Sequence, residues 1–476
     1  MILEDGVKSS LTEYFLVKSI LARNFRCFPC LQVEFNLSGR EIYRNGQKIE
    51  VGPLTLIVAK NGMGKSAILD AVRIAYGAFT LAFDYPSPIS ISKTDIRIMT
   101  DSDTNQSSFS LPVEIEAEGF LNFKNLLWRR TLAKETGRTT NAEAGCVSSF
   151  GKELKKKIKD ESGDAVILPL IAYYGTARLW KEHRDTSHDK PLLKPRDYGY
   201  DYCLGNNSNY KAVYKWIKDA LWAELTSQQF DLKKDNIILQ QLQGIRNALE
   251  ILLEEEGYSN FLHLNSYFKE LAITRWDDPE KIWLEKTSLP VSILSDGVRA
   301  VFSMVLDIAF RCAKLNPQLG QDARNGTPGI VLIDEVDQHL HPAWQQKILN
   351  TLQIAFPKIQ FIVTTHSPQV LSSVPKECVR IIDEGEVIPF DSQTQGVESQ
   401  DILAQIFGTD PAPQEDPYVR QLKQYAEMEA HGLADSDEGR QLYRKLAEHF
   451  GERDAPLQRI EIHRKFIANK RGGENA

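Results

Sequence analysis

"LTLIVAKNGMGKSAILDAVRIAYG", Leu54 to Gly77, is the stretch whose reading decides the fold. Its opening, Leu54 to Ala59, is apolar without alternation, as expected of a short strand buried on both faces. Its end places Ile68, Leu69, Val72 and Ala75 at helical spacing, and Gly77 reads as the helix stop. Between them lies the glycine-rich "KNGMGKS". A strand, a glycine loop and a helix, in that order, form the context in which backbone amides can wrap a phosphate chain.

Outward from this unit, "GIVLIDEV" (Gly329 to Val336) and "FIVTTH" (Phe361 to His366) read as two more buried strands. "PAWQQKILNTLQIAF" between them reads as a helix with Pro342 at its first position. Alternating strands and helices predict an α/β unit around a parallel sheet. "SFSLPVEIEAEGFL" and "LLWRRTLAKE" predict antiparallel strands, and "VILPLIAYYGTARLW", Val166 to Trp180, another buried strand. From Pro191 to Gly257 the chain turns polar and helical; Ile238, Leu242, Ile245, Leu249 and Leu252 follow a seam too short for a coiled coil, which suits a packed lid. The expected organisation is an N-terminal lobe over 1–185, a helical lid over 186–288, a C-terminal lobe over 289–400 and a helical tail over 401–476.

Composition bounds the alternatives. The 476 residues suffice for about three domain-sized units. A hydrophobic share of 42% and a charged share of 25% are those of a globular chain. The net charge of -7 means that any nucleic-acid contact needs a local basic patch. No apolar stretch approaches the ~20 residues of a membrane span, and the acidic start lacks a basic leader, so a soluble, cytoplasmic protein is expected. The 6 cysteines read as free thiols, Cys27 and Cys30 included.

The chemistry-bearing residues form one set. "AKNGMGKS", Ala59 to Ser66, is a phosphate loop whose first glycine is replaced by Ala59. Lys60, Asn61, Gly62 and Gly64 would lie along the nucleotide, Lys65 would reach its β- and γ-phosphates, and the Ser66 hydroxyl would bind Mg²⁺. "VLIDEVDQHLHP" supplies Asp334 to hold Mg²⁺ through water and Glu335 to polarise the attacking water. "VTTHSP" sets His366 at the end of the neighbouring strand, within reach of a γ-phosphate. Other candidates take plainer readings. His339 and His341 lack companion ligands for zinc. The run "GKELKKKIKDE" is a solvated helix face. Asp435 and Asp437 sit at a helix start, where aspartate caps, and not on the strands a nuclease centre needs.

The phosphate loop, then "LSDGVRA", then "LIDEVDQHLHP", then "TTHSP" resembles the head of ABC-type ATPases, in the branch of SMC-like repair proteins and overcoming-lysogeny ATPases. "SILARNFRCF" is similar to that branch's opening strand, and the likeness makes Asn24 and Arg26 candidates for the ribose and base side of ATP. It also implies that Ser295 and Gly297 serve the ATP of a second subunit, so that complete sites need a homodimer or a higher even oligomer. Asp296 stands where the family carries glycine, which could mean slow or regulated hydrolysis.

The short lid, the signature and a tail of this length resemble the ATPase subunits of Septu-type and retron-associated antiphage systems. That resemblance implies a PtuB-like HNH nuclease as partner, docked through 401–476 and carrying any nucleic-acid contact, with no membrane role. The apolar stripes Val419, Leu422, Tyr425, Met428 and Leu442, Leu446, Phe450 must pack on the head or on that partner. A stand-alone repair ATPase and a nucleotide-sensing scaffold with little turnover are the alternatives.

Overall fold

The computed structural model describes residues 14–60, 62–101, 105–160, 166–176, 194–205, 210–229, 236–253, 258–265, 267, 270–276, 286–383, 385–408, 415–451, 457–458 and 460. They fall into two compact units, Met1–Val397 and Glu398–Ala476.

The first unit opens with strands β1 (Phe15–Phe25), β2 (Phe28–Glu34), β3 (Arg40–Arg44), β4 (Gln47–Val51) and β5 (Leu54–Val58). Helix α1 (Lys65–Thr80) follows, then β6 (Ile98–Thr100), β7 (Ser107–Phe109), β8 (Val113–Leu121), β9 (Lys124–Leu132), α2 (Gly145–Lys159) and β10 (Leu170–Tyr174). Helices α3 (Tyr210–Gln229) and α4 (Ile237–Leu253) precede β11 (Tyr258–Asn265), β12 (Glu270–Trp276), β13 (Lys286–Pro290) and α5 (Asp296–Leu315). After α6 (Ala323–Gly326) come β14 (Gly329–Ile333), α7 (Pro342–Gln345), α8 (Ile348–Ala355), β15 (Ile359–Thr365), α9 (Pro368–Leu371), β16 (Val379–Asp383) and β17 (Glu386–Pro389).

The central sheet runs β10-β14-β15-β5-β16-β17, parallel except for its last strand. Every residue of β5, β10, β14 and β15 is buried, which is why these strands read as unbroken apolar runs. A second, antiparallel sheet runs β2-β1-β8-β9. There β8 alternates buried and half-buried residues, the mark of a sheet with one covered face. Helix α1 touches β1, β8 and β15, so it lies between the two sheets. The architecture is α/β, a parallel sheet with an antiparallel subdomain.

Three local readings change. Gly77 does not stop α1, which continues to Thr80. A methyl group at Gly77 would come within 2.8 Å of the Ile89 carbonyl oxygen and 2.9 Å of the Arg130 guanidinium, so this glycine is a contact point. The 342–356 stretch is two short helices, α7 and α8, with a break at Gln346 and Lys347. Within the expected helical lid, the described residues include the helices α3 and α4 and a short 3-10 turn at Arg196–Tyr200, but β11, β12 and β13 pair antiparallel into a sheet of their own. The strand signal was hidden because the apolar core of β12, Leu271 to Ile273, is short and flanked by charges.

The α4 seam is buried as expected: Leu242, Ile245 and Leu249 are inaccessible and Leu252 nearly so. It packs against α5, not into a coiled coil. Each such side chain contributes about 1.5–3 kcal/mol by leaving water.

In the second unit, α10 (Ser399–Ile402) precedes α11 (Pro417–Ala430) and α12 (Asp437–Phe450). Asp416 caps α11 and Ser436 caps α12; Asp437 lies in the first turn, where a carboxylate favours the helix dipole. The apolar stripes face one another: Tyr425, Ala434, Leu446 and Leu457 form a core, with Leu422, Leu442 and Phe450 packed around it. The tail thus supplies its own partner for these stripes, which corrects the expectation that they need the head or another protein.

Candidate active site

Strands β14, β15 and β5 are parallel neighbours, so their carboxyl ends open on one edge of the sheet. Ligands of open α/β sheets bind at this edge. Ala59 follows β5, Asp334 follows β14 and His366 follows β15, which brings together segments far apart in the chain.

The phosphate loop turns on two glycines with positive φ, Gly62 at 78° and Gly64 at 92°, a conformation that side chains disfavour. A methyl group at Gly64 would also meet the Phe28 ring at 2.4 Å and the Cys27 sulfur at 2.8 Å. Ala59 at the loop's start is buried, and its carbonyl accepts a hydrogen bond from Lys65 Nζ at 3.2 Å. Lys60 is exposed. Asn61 lies outside the described residues.

Lys65 Nζ also lies 2.5 Å from His366 Nε2. Burial pushes the Lys65 ammonium down from its ordinary pKa, against the pull of Glu335, Asp334 and Asp337. The His366 pKa is lowered as well, first by burial and then by the Lys65 charge. The His366 shift favours a neutral imidazole beside Lys65.

Ser66 Oγ donates to Asp334 Oδ2 at 2.7 Å, and Thr364 Oγ1 donates to Asp334 Oδ1 at 2.6 Å. Thr364 Oγ1 in turn accepts the Glu335 amide at 2.8 Å, and the Asp334 amide donates to the Tyr174 carbonyl at 2.8 Å. Glu335 sits at a positive φ of 47°, which turns the chain sharply just past the strand. A hydroxyl and a carboxylate in contact are hard oxygen donors of the kind Mg²⁺ takes, and the pair fits that ion.

Thr364, Thr365, Asp337 and Gln345 were missed as site residues in the sequence. Thr365 Oγ1 donates to Asp337 Oδ1 at 2.5 Å and accepts the Ser367 amide at 2.9 Å. Ser367 Oγ donates to Gln345 Oε1 at 2.7 Å. The available signal was the pair of threonines in "VTTHSP": two hydroxyls at the end of a fully buried strand must find polar partners.

Arg26 is held by carboxylates. Its guanidinium pairs with Asp70 at 2.7 Å and Asp95 at 2.8 Å. Burial would lower its pKa, but Asp70 and Asp95 together raise it. The Asn24 amide donates to the Pro112 carbonyl at 2.9 Å.

Ser295 is exposed at the N-cap position of the 20-residue helix α5 and makes no side-chain capping hydrogen bond there. Gly297 abuts the segment after β14: a methyl group there would lie 2.3 Å from the His339 carbonyl oxygen. Asp296 is ion-paired with Arg299 at 2.6 Å, so its charge is compensated within the same helix turn. Among the described residues, no hydrogen bond joins Ser295 to the phosphate loop of its own chain. His341 Nδ1 accepts the Ala343 amide at 3.4 Å, which makes it the cap of α7.

The family profile described as "AAA domain" matches residues 19–271, more than half of the 476-residue chain. The chain belongs to the AAA-domain family. A second AAA-domain profile matches residues 226–372 of this AAA-domain protein. It is 26% identical to "Retron Ec83 probable ATPase" of Escherichia coli, over 94% of this chain and 86% of that one. It is 26% identical to "Retron Vc95 probable ATPase" of Vibrio cholerae serotype O1 biovar El Tor, over 83% and 82%. It is 24% identical to "Septu protein PtuA" of Bacillus mycoides (strain KBAB4), over 80% of this chain but 42% of that one. Similar solved structures include an Smc head bound to the C-terminal winged-helix domain of ScpA (17% identity, 79% of this chain and 98% of that one, TM-score 0.45). The recombination mediator RecF is another (13% identity, 79% and 98%, TM-score 0.38). The AAA-domain protein is thus an ATPase with homology to retron and Septu ATPases, and its motif order is that of the ABC type.

Proposed function

We propose that this protein is the ATP-hydrolysing subunit of an antiphage defence complex, in which two copies enclose ATP between their heads and govern a PtuB-like HNH nuclease. The observation that carries the ATPase part is the convergence of Lys65, Ser66, Asp334, Glu335 and His366 at the carboxyl ends of β5, β14 and β15.

In this reading Lys65 leaves His366 for the β- and γ-phosphates, and Ser66 and Asp334 part to hold Mg²⁺. A Mg²⁺ held by Ser66 and Asp334 would supply positive charge to the phosphates. Thr364 fixes the Asp334 carboxylate from one side and the Glu335 amide from the other, so the Asp334 carboxylate and the Glu335 backbone stay placed while Ser66 moves. Glu335 polarises the attacking water. Neutral His366 donates from Nε2 to a γ-phosphate oxygen. The exposed Ser295 of a second copy caps the same phosphate, with the amides at the start of α5 behind it. Arg26 serves the ribose side only if an anionic ligand draws it from Asp70 and Asp95.

The defence role rests on the retron and Septu names of the relatives. The test is phosphate release by the purified protein and its Lys65→Ala variant, followed by phage plating of cells that carry the gene with its neighbouring nuclease gene. Release that falls to background in Lys65→Ala, with loss of protection, supports the reading. ATP binding without release identifies a nucleotide-sensing scaffold instead.

A further inference from the structure

The edge of the central sheet beside Asp334 is held by side chains of α5. Strand β10 forms that edge, with β14 as its ladder partner on one side. An edge strand has no second ladder to fix its place, so its end depends on other contacts. That end bears on the site: the carbonyl of Tyr174, the last residue of β10, accepts the Asp334 amide at 2.8 Å.

Helix α5 grips β10 at both ends. Just before the strand begins, Asn316, fully buried where α5 ends, accepts the Leu168 amide at 2.8 Å and donates to the Leu168 carbonyl at 2.9 Å. Where the strand ends, the Tyr174 hydroxyl donates to Asp307 Oδ2 at 2.7 Å. Arg311, one turn further along α5, donates from Nε to the same oxygen at 2.8 Å. Its Nη1 donates to the Gly199 carbonyl at 2.7 Å and to the Asp201 carbonyl at 3.1 Å. The segment so held also meets the open side of β10, where the Tyr173 amide donates to the Cys203 carbonyl at 2.8 Å.

Stability is a poor explanation for this cluster. Tyr174 and Asp307 are each 1% exposed and Arg311 is 4% exposed. Desolvation offsets much of the attraction in so buried an ion pair, and apolar side chains of similar volume often serve as well. The second carboxylate oxygen, Asp307 Oδ1, is buried with no hydrogen-bond partner among the described residues, which adds to the cost. What the arrangement does supply is position. Asp307, steadied by Arg311, offers the Tyr174 hydroxyl a directed acceptor, and the ring carries that constraint to the Tyr174 backbone.

We propose that Tyr174 and Asp307 are positioning residues for ATP hydrolysis. Through the Tyr174 carbonyl they set where the Asp334 amide lies, and they tie Asp334 to α5, the helix that begins after Ser295. The role rests on Asp334 serving the metal, as in the proposed function.

The experiment uses the full chain. Tyr174→Phe removes the hydroxyl and keeps the ring. Tyr200→Phe is its control: Tyr200 is inaccessible, and its hydroxyl donates at 2.8 Å to the Pro169 carbonyl, at the other end of β10 from Asp334. Each variant loses one buried tyrosine hydrogen bond, so both should melt below the parent. Tyr174→Phe should lower kcat for phosphate release about tenfold, with KM for ATP within about twofold. It should also weaken Mn²⁺ binding in the presence of ATPγS, read by electron paramagnetic resonance, about tenfold. Asp307→Asn, which breaks the ion pair that steadies the acceptor, should show the same pattern, and Tyr200→Phe should change neither kcat nor Mn²⁺ affinity. Parent-like kcat and Mn²⁺ affinity in Tyr174→Phe, or equal losses in Tyr200→Phe, overturns the positioning role. Phosphate release indifferent to Lys65→Ala would overturn the ATPase reading and this role with it, an outcome distinct from Lys65-dependent release that is indifferent to Tyr174→Phe.

Discussion

Ser66 Oγ and Asp334 Oδ2 lie 2.7 Å apart although 268 positions separate them in sequence. The bond exists because β5 and β14 both flank β15, so the first turn of α1 and the end of β14 open on the same edge. Asp334 is fixed independently by Thr364, and the Thr364 hydroxyl also holds the Glu335 amide. The Glu335 backbone is therefore held next to Asp334 at the end of β14. Glu335→Gln keeps shape and hydrogen bonding but removes the negative charge. Phosphate release should fall at least a hundredfold while ATP affinity stays within about threefold, and ATP-loaded dimers should accumulate on a sizing column. A collapse of ATP affinity would reassign Glu335 as a ligand.

The two-copy site has a sharper signature than loss of activity. Ser295→Arg and Lys65→Ala proteins should each be inactive alone. Mixed one to one, heterodimers carry one intact site, with Lys65 from one chain and Ser295 from the other. Random pairing puts about half of the molecules in that state, so roughly a quarter of the wild-type rate should return. No recovery from mixtures shown to contain heterodimers argues for sites complete within one chain.

Gly297 has an intramolecular role that the two-copy reading does not require. The first turn of α5 packs on the His339 carbonyl so closely that a methyl group would sit 2.3 Å from it. His339 itself holds a positive φ of 65°, so neither backbone yields readily. Gly297→Ala should cost about 1–3 kcal/mol in the nucleotide-free protein, read as a lower melting temperature. An unchanged melt with abolished turnover would place the role of Gly297 wholly at the nucleotide.

Most of the site was legible because its chemistry needs fixed residue types at short range. The glycines at 62 and 64, Lys65 and Ser66 lie within five positions, and Asp334 and Glu335 are adjacent. What escaped was long-range. Thr364 and Gln345 matter through partners that only the strand order brings near, and Arg26 meets Asp70 and Asp95 from far along the chain, the latter 69 positions away. The β11–β13 sheet escaped because its apolar residues are few per strand, and Gly77 because packing, not helix propensity, selects glycine there.

Lys314 gives a pH test remote from the site. It is almost fully buried on α5, and its ammonium donates to the Lys194 carbonyl at 2.6 Å. Burial pushes its pKa down to about 8 from an ordinary 10.5, against the pull of Asp197. The unfolded chain therefore binds the extra proton between those values. Below pH 8 the lysine is charged in both states and the desolvation cost of up to about 3 kcal/mol is fully present; it is relieved as pH rises toward 10.5. Lys314→Met removes the charge and keeps the chain length. The variant should melt higher than wild type at pH 7, and the difference should shrink by pH 10. A difference independent of pH would show that packing alone governs the position.

The tail bears on the partner. Residues 398–476 form a compact unit, and its apolar stripes are satisfied by Tyr425, Leu446 and Leu457 packing within that unit. ATP chemistry does not explain a unit with its own core, and a unit that needs no other protein to bury its stripes is suited to carry a docking surface on its outer face. Deleting 398–476 cuts at the boundary and leaves α1, β5, β14 and β15 intact. The truncated protein should bind and hydrolyse ATP at rates within about twofold of the full chain, should fail to carry the nuclease through a sizing column, and should no longer protect cells from phage. Co-elution of the nuclease with the truncated protein would move the docking surface to the head. Aggregation of the truncated protein, with the isolated tail failing to fold, would mean that the tail is needed for head stability and that its deletion cannot serve as a test of docking; point changes on exposed tail residues such as Leu433 would then decide the matter by loss or retention of co-elution.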